Sequence, residues 1–282
     1  MLEVYGYQQQ IINELNSIDN DTNNFYNYKG LNFLSKLSCK NKNLVICFHG
    51  DLSNKVTKNK GINRIVFRGY DYKIDDTNIV CISDYLLNIY DDYKVNWTLS
   101  TDKHNVEYIY DELFTYLINQ QKYNKVIFTG SSAGGFPSLK FACKFNCIAF
   151  ISNSQIYLEK YGSVENGQCF YHLKNMVEKN NDKLIYEHKQ IEHIIHEYKP
   201  KKVIIFNNKK DATYERDIVP LIQYINNNKI SHLFQINLFN YDGIIPPGKT
   251  HHHIFYPDDK KHIDILQELI ENNIGVTRSN EL

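Results

Sequence analysis

The chain has 282 residues and a mass of 33.2 kDa, which suits one large domain with a sizeable core. Its 32 Lys and Arg residues balance its 32 Asp and Glu residues, so we do not expect it to bind nucleic acid by neutralising phosphates. A hydrophobic content of 42% and an aromatic content of 13% exclude a mainly disordered or collagen-like chain.

The sequence gives little indication of a membrane span, a secretory signal or disulfide bonds. No apolar run approaches the ~20 residues that a membrane span needs, and the first residues lack the basic and apolar regions of a secretory signal. The six cysteines form no CxxC pair, and Cys47, Cys81 and Cys147 lie in apolar runs. We therefore expect a cytoplasmic protein with reduced core cysteines, without disulfides and without a metal site.

Short apolar runs recur along the chain and alternate with amphipathic segments. The runs span residues 44–48, 64–67, 78–82, 125–129, 147–151, 202–206 and 233–238. Runs of this length, apolar on both faces, are typical of strands in a buried parallel sheet. Apolar residues at helical spacing predict helices within 107–120, 184–198, 218–225 and 263–270. This alternation predicts an α/β fold with a mainly parallel sheet, formed by a single domain over residues 1–282.

The interval from residue 162 to residue 201 has no strong strand signal. Two neighbouring strands do not need so long a connection, so we interpret it as a helical cap or lid inserted over the sheet edge. A long crossover with two helices is the alternative.

The strongest motif is the G-x-S-x-G pattern of Gly130-Ser131-Ser132-Ala133-Gly134. It follows an apolar strand and precedes a helical pattern, which is the context of a nucleophile elbow. Glycines on either side of the central serine remove Cβ atoms that would clash across the sharp turn. The spacing favours Ser132 over its rival Ser131 as the nucleophile. A Gly/Ser turn that binds phosphate is the alternative interpretation.

A serine nucleophile needs an oriented base, and in such folds the partners follow in the order Ser, acid, His. Asp211 follows the apolar run 202–206 and is the expected acid. Asp217 is the second candidate, although a surface carboxylate on a helix is its more ordinary role. The base is expected among three consecutive histidines before the last helix, with His251 first and His252 second.

Backbone N–H groups near the elbow are expected to form an oxyanion hole. Ala133 supplies the first donor, because it follows the nucleophile at a helix N-terminus. The His49-Gly50-Asp51 segment follows the first apolar run, so Gly50 or Asp51 supplies the second donor. We expect His49 itself to have a structural role.

These motifs together resemble a known family. The residues that carry the resemblance are the elbow, the later Asn153-Ser154-Gln155 and Tyr161, and the upstream Phe67-Arg68, Ile82-Ser83-Asp84, Tyr90 and Trp97. Their order is similar to that in α/β-hydrolase-like proteins of bacterial capsular polysaccharide biosynthesis. They resemble in particular the capsule O-acetyltransferases with a Ser-Asp-His triad. The similarity runs from about Leu44 to the final helix, and Asn153-Ser154-Gln155 stands where the family has an Asn-Pro-Gln segment.

The resemblance implies an O-acetyltransferase with an acyl-Ser132 intermediate. Acetyl-CoA is then the acetyl donor rather than a resident cofactor, and a capsular polysaccharide or its sugar precursor is the acceptor. Arg68 and Lys249 are candidates to meet phosphates, and Trp97 to stack on a sugar, with a charged surface and a core tryptophan as alternatives. Other capsule-synthesis enzymes at the inner face of the membrane are candidate partners. A carbohydrate esterase with the same triad and a non-catalytic glycan-binding or scaffold protein are the alternative functions.

Overall fold

The computed structural model describes residues 2–50, 65–90, 97–161, 170–240 and 260–271. Ten of its strands form a central sheet: β1 Glu3–Val4, β2 Tyr7–Ile12, β3 Asn23–Tyr28, β4 Leu31–Lys36, β5 Asn43–Phe48, β6 Thr77–Ile82, β8 Lys125–Ser131, β9 Ile148–Ser152, β11 Lys202–Asn208 and β12 Phe234–Phe239. Two short strands, β7 Ser100–Thr101 and β10 Leu184–Ile185, pair with each other outside it.

The strand order in the sheet is β1-β2-β3-β4-β6-β5-β8-β9-β11-β12. The six strands from β6 to β12 run parallel, and β4 pairs with β6 in the antiparallel direction. Every residue of β5 and β6 is buried, as expected for strands covered on both faces. Because β5, β8, β9 and β11 are parallel neighbours, the loops after them emerge at one edge of the sheet.

The described residues contain six α-helices, five before the last strand of the chain and one after it. They are α1 Glu107–Asn119, α2 Gly135–Lys144, α3 Phe170–Lys179, α4 Gln190–Tyr198, α5 Val219–Asn227 and α6 His262–Glu271. Helices α1 to α5 contribute to a large core on one face of the sheet, and α6 contributes to a smaller core on the other. Within the described ranges, no helix has the length and apolar character needed to cross a membrane.

Most elements predicted from hydrophobic periodicity are confirmed to within a few residues. The predicted mainly parallel sheet is present, and the helices predicted at 107–120, 218–225 and 263–270 correspond to α1, α5 and α6. The described free cysteines include Cys47, Cys81 and Cys147, all three buried as expected. Strands β1 to β4 were not predicted, because their alternating polar residues do not form continuous apolar runs.

Two predicted elements are wrong. Ile65–Phe67, the described part of the run 64–67, forms no strand; Ile65 and Phe67 instead pack into the core beside α6. The stretch 184–198 is not one helix, because β10 occupies its start and α4 begins at Gln190. Ile65, Phe67, Leu184, Ile191, Ile194 and Ile195 are buried as expected, whereas Ile185 and Tyr198 are exposed.

The interval 162–201 contains α3, β10 and α4 in its described part, residues 170–201. Helix α4 packs against α2, and Ile191, Ile194 and Ile195 of α4 are buried in the large core. The role of the interval as a lid stays a prediction.

Candidate active site

Ser132 lies where the chain turns from a strand into a helix. Strand β8 ends at Ser131, a single 3-10 turn covers Ser132–Gly134, and α2 begins at Gly135. Ser131 is extended, whereas Ser132 has a φ of 55°, in the left-handed region that few non-glycine residues adopt. Pro137 is accommodated in the first turn of α2, where the missing N–H has no intrahelical role.

Close backbone approaches explain the glycines around Ser132. A Cβ atom at Gly130 would lie 2.4 Å from the carbonyl oxygen of Gly134. A Cβ atom at Gly134 would lie 2.7 Å from the carbonyl oxygen of Phe48 at the end of β5. These distances are shorter than any ordinary carbon–oxygen contact, so the turn can form here only with glycine.

The residues expected to form an oxyanion hole surround Ser132. Ala133 is the second residue of the 3-10 turn, at the start of the helical segment. A Cβ atom at Gly50 would lie 3.7 Å from the Cβ atom of Ser132, so the backbone of Gly50 approaches the serine closely. Asp51 lies outside the described residues.

A small cavity opens beside Ala133. Its lining includes three polar residues, His49, Asp84 and Thr98. The apolar lining residues include Ile82, Trp97 and Pro137. Ser132 itself is 8% exposed, so most of its surface is covered by neighbouring residues.

Both ring nitrogens of His49 are engaged by backbone groups. Its Nε2 accepts a hydrogen bond from the N–H of Asp84 at 3.1 Å, and its Nδ1 lies 2.6 Å from the carbonyl oxygen of Gly50. The ring is therefore neutral with its proton on Nδ1, and it holds the Gly50 loop against Asp84. This arrangement fits the structural role expected for His49.

Gln155 contacts Ser132 through both its backbone and its side chain, a contact that the sequence does not predict. Its N–H donates to the carbonyl oxygen of Ser132 at 2.9 Å, and its Nε2 lies 3.3 Å from Ser132 Oγ. Its Oε1 accepts a hydrogen bond from the indole N–H of Trp97 at 2.7 Å. The signal in the sequence was the Asn153-Ser154-Gln155 segment, but nothing local indicated that its side chain reaches the serine.

Asp211 is positioned just past β11, in the loop at the same sheet edge as Ser132. It is 3% exposed, and its Oδ1 accepts hydrogen bonds from the N–H and the hydroxyl of Thr213 at 2.9 and 2.6 Å. These contacts hold the carboxylate in one orientation.

Asp217, the second candidate acid, is fully buried and not on the surface as expected for its ordinary role. Its Oδ1 accepts hydrogen bonds from the N–H groups of Ile156 and Tyr157, both at 2.8 Å, and its Oδ2 pairs with Arg216. Burial raises the pKa of Asp217 above its ordinary value, against the lowering effect of Arg216 and these N–H groups. The carboxylate therefore anchors the loop that carries Gln155.

His251, His252 and Lys249 lie outside the described residues. Among the described histidines, His262 is buried, and its Nε2 lies 2.8 Å from Thr129 Oγ1. Burial, helped by the positive charge of Arg68, lowers the pKa of His262 to about 3. It is thus a neutral residue under the sheet and too weak a base to activate a serine.

The candidate substrate-binding residues have different environments. Arg68 is exposed, and its charge acts on Tyr72 and His262. Trp97 is 2% exposed and packs edge-to-face on Tyr161, with ring centroids 5.6 Å apart. Their roles in substrate binding stay predictions.

Among the described residues, no group of His, Cys, Asp and Glu side chains is arranged to hold a metal ion.

Comparison with known proteins identifies the fold. No family model and no curated protein sequence matches the chain. The capsule O-acetyltransferase of Neisseria meningitidis serogroup A, solved with caged gadolinium, aligns at 15% identity with a TM-score of 0.55, over 77% of this chain and 86% of that one. A mutant of the same enzyme in complex with CoA aligns at 14% identity with a TM-score of 0.51, over 78% and 87%. The chain has an α/β-hydrolase fold, with a mainly parallel central sheet flanked by helices.

Proposed function

We propose that the chain is a serine-dependent O-acetyltransferase that moves an acetyl group from acetyl-CoA to a hydroxyl of a bacterial capsular polysaccharide. The observation that carries the proposal is the backbone of Ser132, held in a left-handed conformation between β8 and α2. Gly50 approaches this serine closely, and Asp211 is held at the end of β11 on the same sheet edge. The likeness to a capsule O-acetyltransferase, solved in one case with CoA, supports the choice of donor.

The first half of the reaction acylates Ser132. The Oγ atom attacks the thioester carbonyl carbon while its proton passes to the base, His251 or else His252. Asp211 stabilises the imidazolium that forms. The N–H groups of Ala133 and of Gly50 or Asp51 stabilise the oxyanion. When the carbon–sulfur bond breaks, the imidazolium returns the proton to the departing CoA sulfur.

The second half transfers the acetyl group. A sugar hydroxyl attacks the acyl carbon and gives its proton to the same histidine, and the carbon–Oγ bond then breaks with the proton returning to Ser132. Water in place of the sugar would make the protein an esterase. Transfer to the sugar requires that water is kept from the acyl-enzyme, because water would hydrolyse it. In this proposal the protein works in the cytoplasm, at the inner face of the membrane with other capsule-synthesis enzymes.

The acyl-enzyme can be detected directly. Incubation of the purified chain with labelled acetyl-CoA should leave one acetyl group on Ser132, identified by mass spectrometry of its peptides. Ser132→Ala should abolish labelling, and Ser131→Ala, at the neighbouring strand position, should retain it. Labelling that persists in Ser132→Ala would contradict the proposal. An adduct discharged by water at the same rate with and without capsule polysaccharides would identify an esterase.

The base can be assigned by separate substitutions of the adjacent histidines. We expect His251→Ala to lower the acylation rate by a factor of about 10³ or more, because an unassisted serine hydroxyl is a weak nucleophile. His252→Ala should retain most of the rate. Acylation rates with acetyl-CoA decide between them, and a loss confined to His252→Ala would assign the base to His252.

A further inference from the structure

We propose that Gln155 is a further catalytic residue, which stabilises negative charge on Ser132 Oγ, and that Trp97 is the positioning residue that orients its amide. This inference deepens the proposed function and rests on Ser132 as the nucleophile. It rests on two connected hydrogen bonds: the indole N–H of Trp97 donates to the Gln155 amide, and the Gln155 amide donates to Ser132 Oγ.

The orientation of the Gln155 amide is determined by Trp97. An indole N–H can only donate a hydrogen bond, so the atom of Gln155 that lies 2.7 Å from it must be the carbonyl oxygen Oε1. The amino group Nε2 is then the atom 3.3 Å from Ser132 Oγ. Because the lone pair of an amide nitrogen is delocalised into the carbonyl group, Nε2 only donates. The serine oxygen is therefore the acceptor, and the serine proton stays available to a base.

The position of the amide is also tightly held. Gln155 is 1% exposed, and its own N–H donates to the carbonyl oxygen of Ser132. The next two N–H groups of the same loop donate to Asp217. The side chain thus extends from a loop that is bound to the elbow on one side and to a buried carboxylate on the other.

The backbone of Trp97 supports a role at the site. Trp97 and Thr98 both have a φ of 55°, in the left-handed region. Two consecutive non-glycine residues rarely adopt this conformation, and it is especially unfavourable for a β-branched residue such as Thr98. The N–H of Thr98 donates to Asp84 Oδ2 at 3.1 Å, which helps to hold this conformation. Strained backbone is concentrated at functional sites, and here it places the indole N–H on Gln155.

The chemistry follows from the charge that develops on Oγ. The oxygen gains negative charge when it loses its proton during attack, and again when the carbon–Oγ bond breaks and the electron pair returns to it. A hydrogen bond to an ionised oxygen is about twice as strong as one to a neutral oxygen, so the 3.3 Å contact strengthens in both transition states. Gln155 therefore raises the rate of both half-reactions without contributing to donor binding.

The test uses the purified full chain with acetyl-CoA and, separately, with p-nitrophenyl acetate, a small activated ester that does not need a CoA site. Gln155→Leu should lower kcat about 10- to 100-fold with a change in KM of less than twofold. Trp97→Phe, which removes the indole N–H, should lower kcat by a smaller factor. If Trp97 acts through the amide, Trp97→Phe should cause little further loss when Gln155 is already Leu.

Comparing the effect of Trp97→Phe in the wild-type chain and in Gln155→Leu separates a role of Trp97 in orienting the amide from a role in packing alone. A kcat for Gln155→Leu within twofold of the wild-type value would overturn the catalytic role of Gln155. An equal loss from Trp97→Phe in both backgrounds would overturn the positioning role of Trp97. A wild-type chain that acylates Ser132 with p-nitrophenyl acetate but not with acetyl-CoA would contradict the donor in the proposed function, and the Gln155 comparison would still proceed with the ester. A chain that acylates Ser132 with neither compound would overturn both.

Discussion

Ser132 adopts a backbone conformation that costs about 1–3 kcal/mol for a residue with a Cβ atom. Its φ of 55° directs the side chain away from the path of the strand, and the carbonyl oxygen of Ser132 accepts a hydrogen bond from the N–H of Gln155. The neighbouring Ser131 has an ordinary extended backbone. The difference between two adjacent serines therefore lies in the backbone, and it explains why glycine spacing in the sequence favoured Ser132.

His262 is a buried residue whose protonation opposes folding. The hydroxyl of Thr129 donates to the carbonyl oxygen of Phe150, so His262 Nε2 must carry a proton and donate to Thr129 Oγ1. The ring also stacks on Phe150, with centroids 4.5 Å apart. A second proton would place a charge in a buried site close to the positive charge of Arg68, so the pKa is lowered to about 3.

This lowered pKa predicts a loss of stability in acid. Between pH 6.5 and about pH 3, the unfolded chain binds a proton at His262 that the folded chain does not. The contribution is therefore fully present above pH 6.5 and declines by about 1.4 kcal/mol for each pH unit below it. Urea unfolding at pH 7, 6 and 5 measures the free energy of unfolding for this comparison.

His262→Gln is the matched control, because its amide retains a donor for Thr129 and does not titrate. We expect the variant to be less stable than the wild type at pH 7 but to lose less stability as the pH falls. Equal losses in the two chains from pH 7 to pH 5 would show that His262 does not set the acid sensitivity.

At the scale of elements, the turn from β8 to α2 depends on the contact between α2 and the loop after β9. A Cβ atom at Gly135 would lie 2.1 Å from Ser154 Oγ and 2.2 Å from Ser154 Cβ. Alanine is the better helix former by about 1 kcal/mol, so helix propensity alone predicts that Gly135→Ala stabilises the chain. The contact with Ser154 predicts the opposite sign.

We expect Gly135→Ala to lower the free energy of unfolding by about 1–3 kcal/mol, as is typical of overpacking. Ser154→Gly removes both of the closest atoms, so adding it to Gly135→Ala should recover part of the loss. Urea denaturation of the two single variants and the double variant measures this coupling. A stabilising effect of Gly135→Ala by itself would show that the helix and the loop separate readily.

The predictive value of hydrophobic patterns differed between elements. Strands β5, β8 and β11 have continuous apolar runs because both faces of the sheet are covered, and the sequence predicted them. Strand β2 exposes Gln8, Gln10 and Ile11, and its sequence contains no continuous apolar run that would predict it. Ile65 and Phe67 are as apolar as a strand, but they pack against the core without pairing, a difference that local sequence does not encode.

At the scale of the whole molecule, the parallel strand order brings distant segments to one edge. Ser132 follows β8 and Asp211 follows β11, with β9 between these two strands. The segment with His251 and His252 follows β12, the neighbour of β11, and lies outside the described residues. The order of Ser, Asp and His in the chain predicts a candidate site with these three members. The sheet topology places the first two, Ser132 and Asp211, at one edge of the sheet.

The ion pairs between helices α1 and α2 also join residues that are distant in the sequence. Lys144 pairs with Glu107 at 2.6 Å and with Asp111 at 2.8 Å, and Lys140, which is 3% exposed, also pairs with Glu107. Burial acts to raise the pKa of Glu107, but the two lysines outweigh it and lower the pKa below its ordinary value. A lysine on a helix face gave no sequence signal that it would be buried.

Local pattern was enough to establish the α/β architecture, the strand-to-helix turn at Ser132 and the need for glycine around it, because apolar periodicity and Cβ clashes act between residues close in the chain. The tertiary structure alone decided that Gln155 contacts Ser132, that Trp97 orients Gln155 across 58 positions, and that Asp217 is buried beneath the same loop. These contacts depend on which strands become neighbours and how the loops between them pack, which is the result of burying the whole core at once.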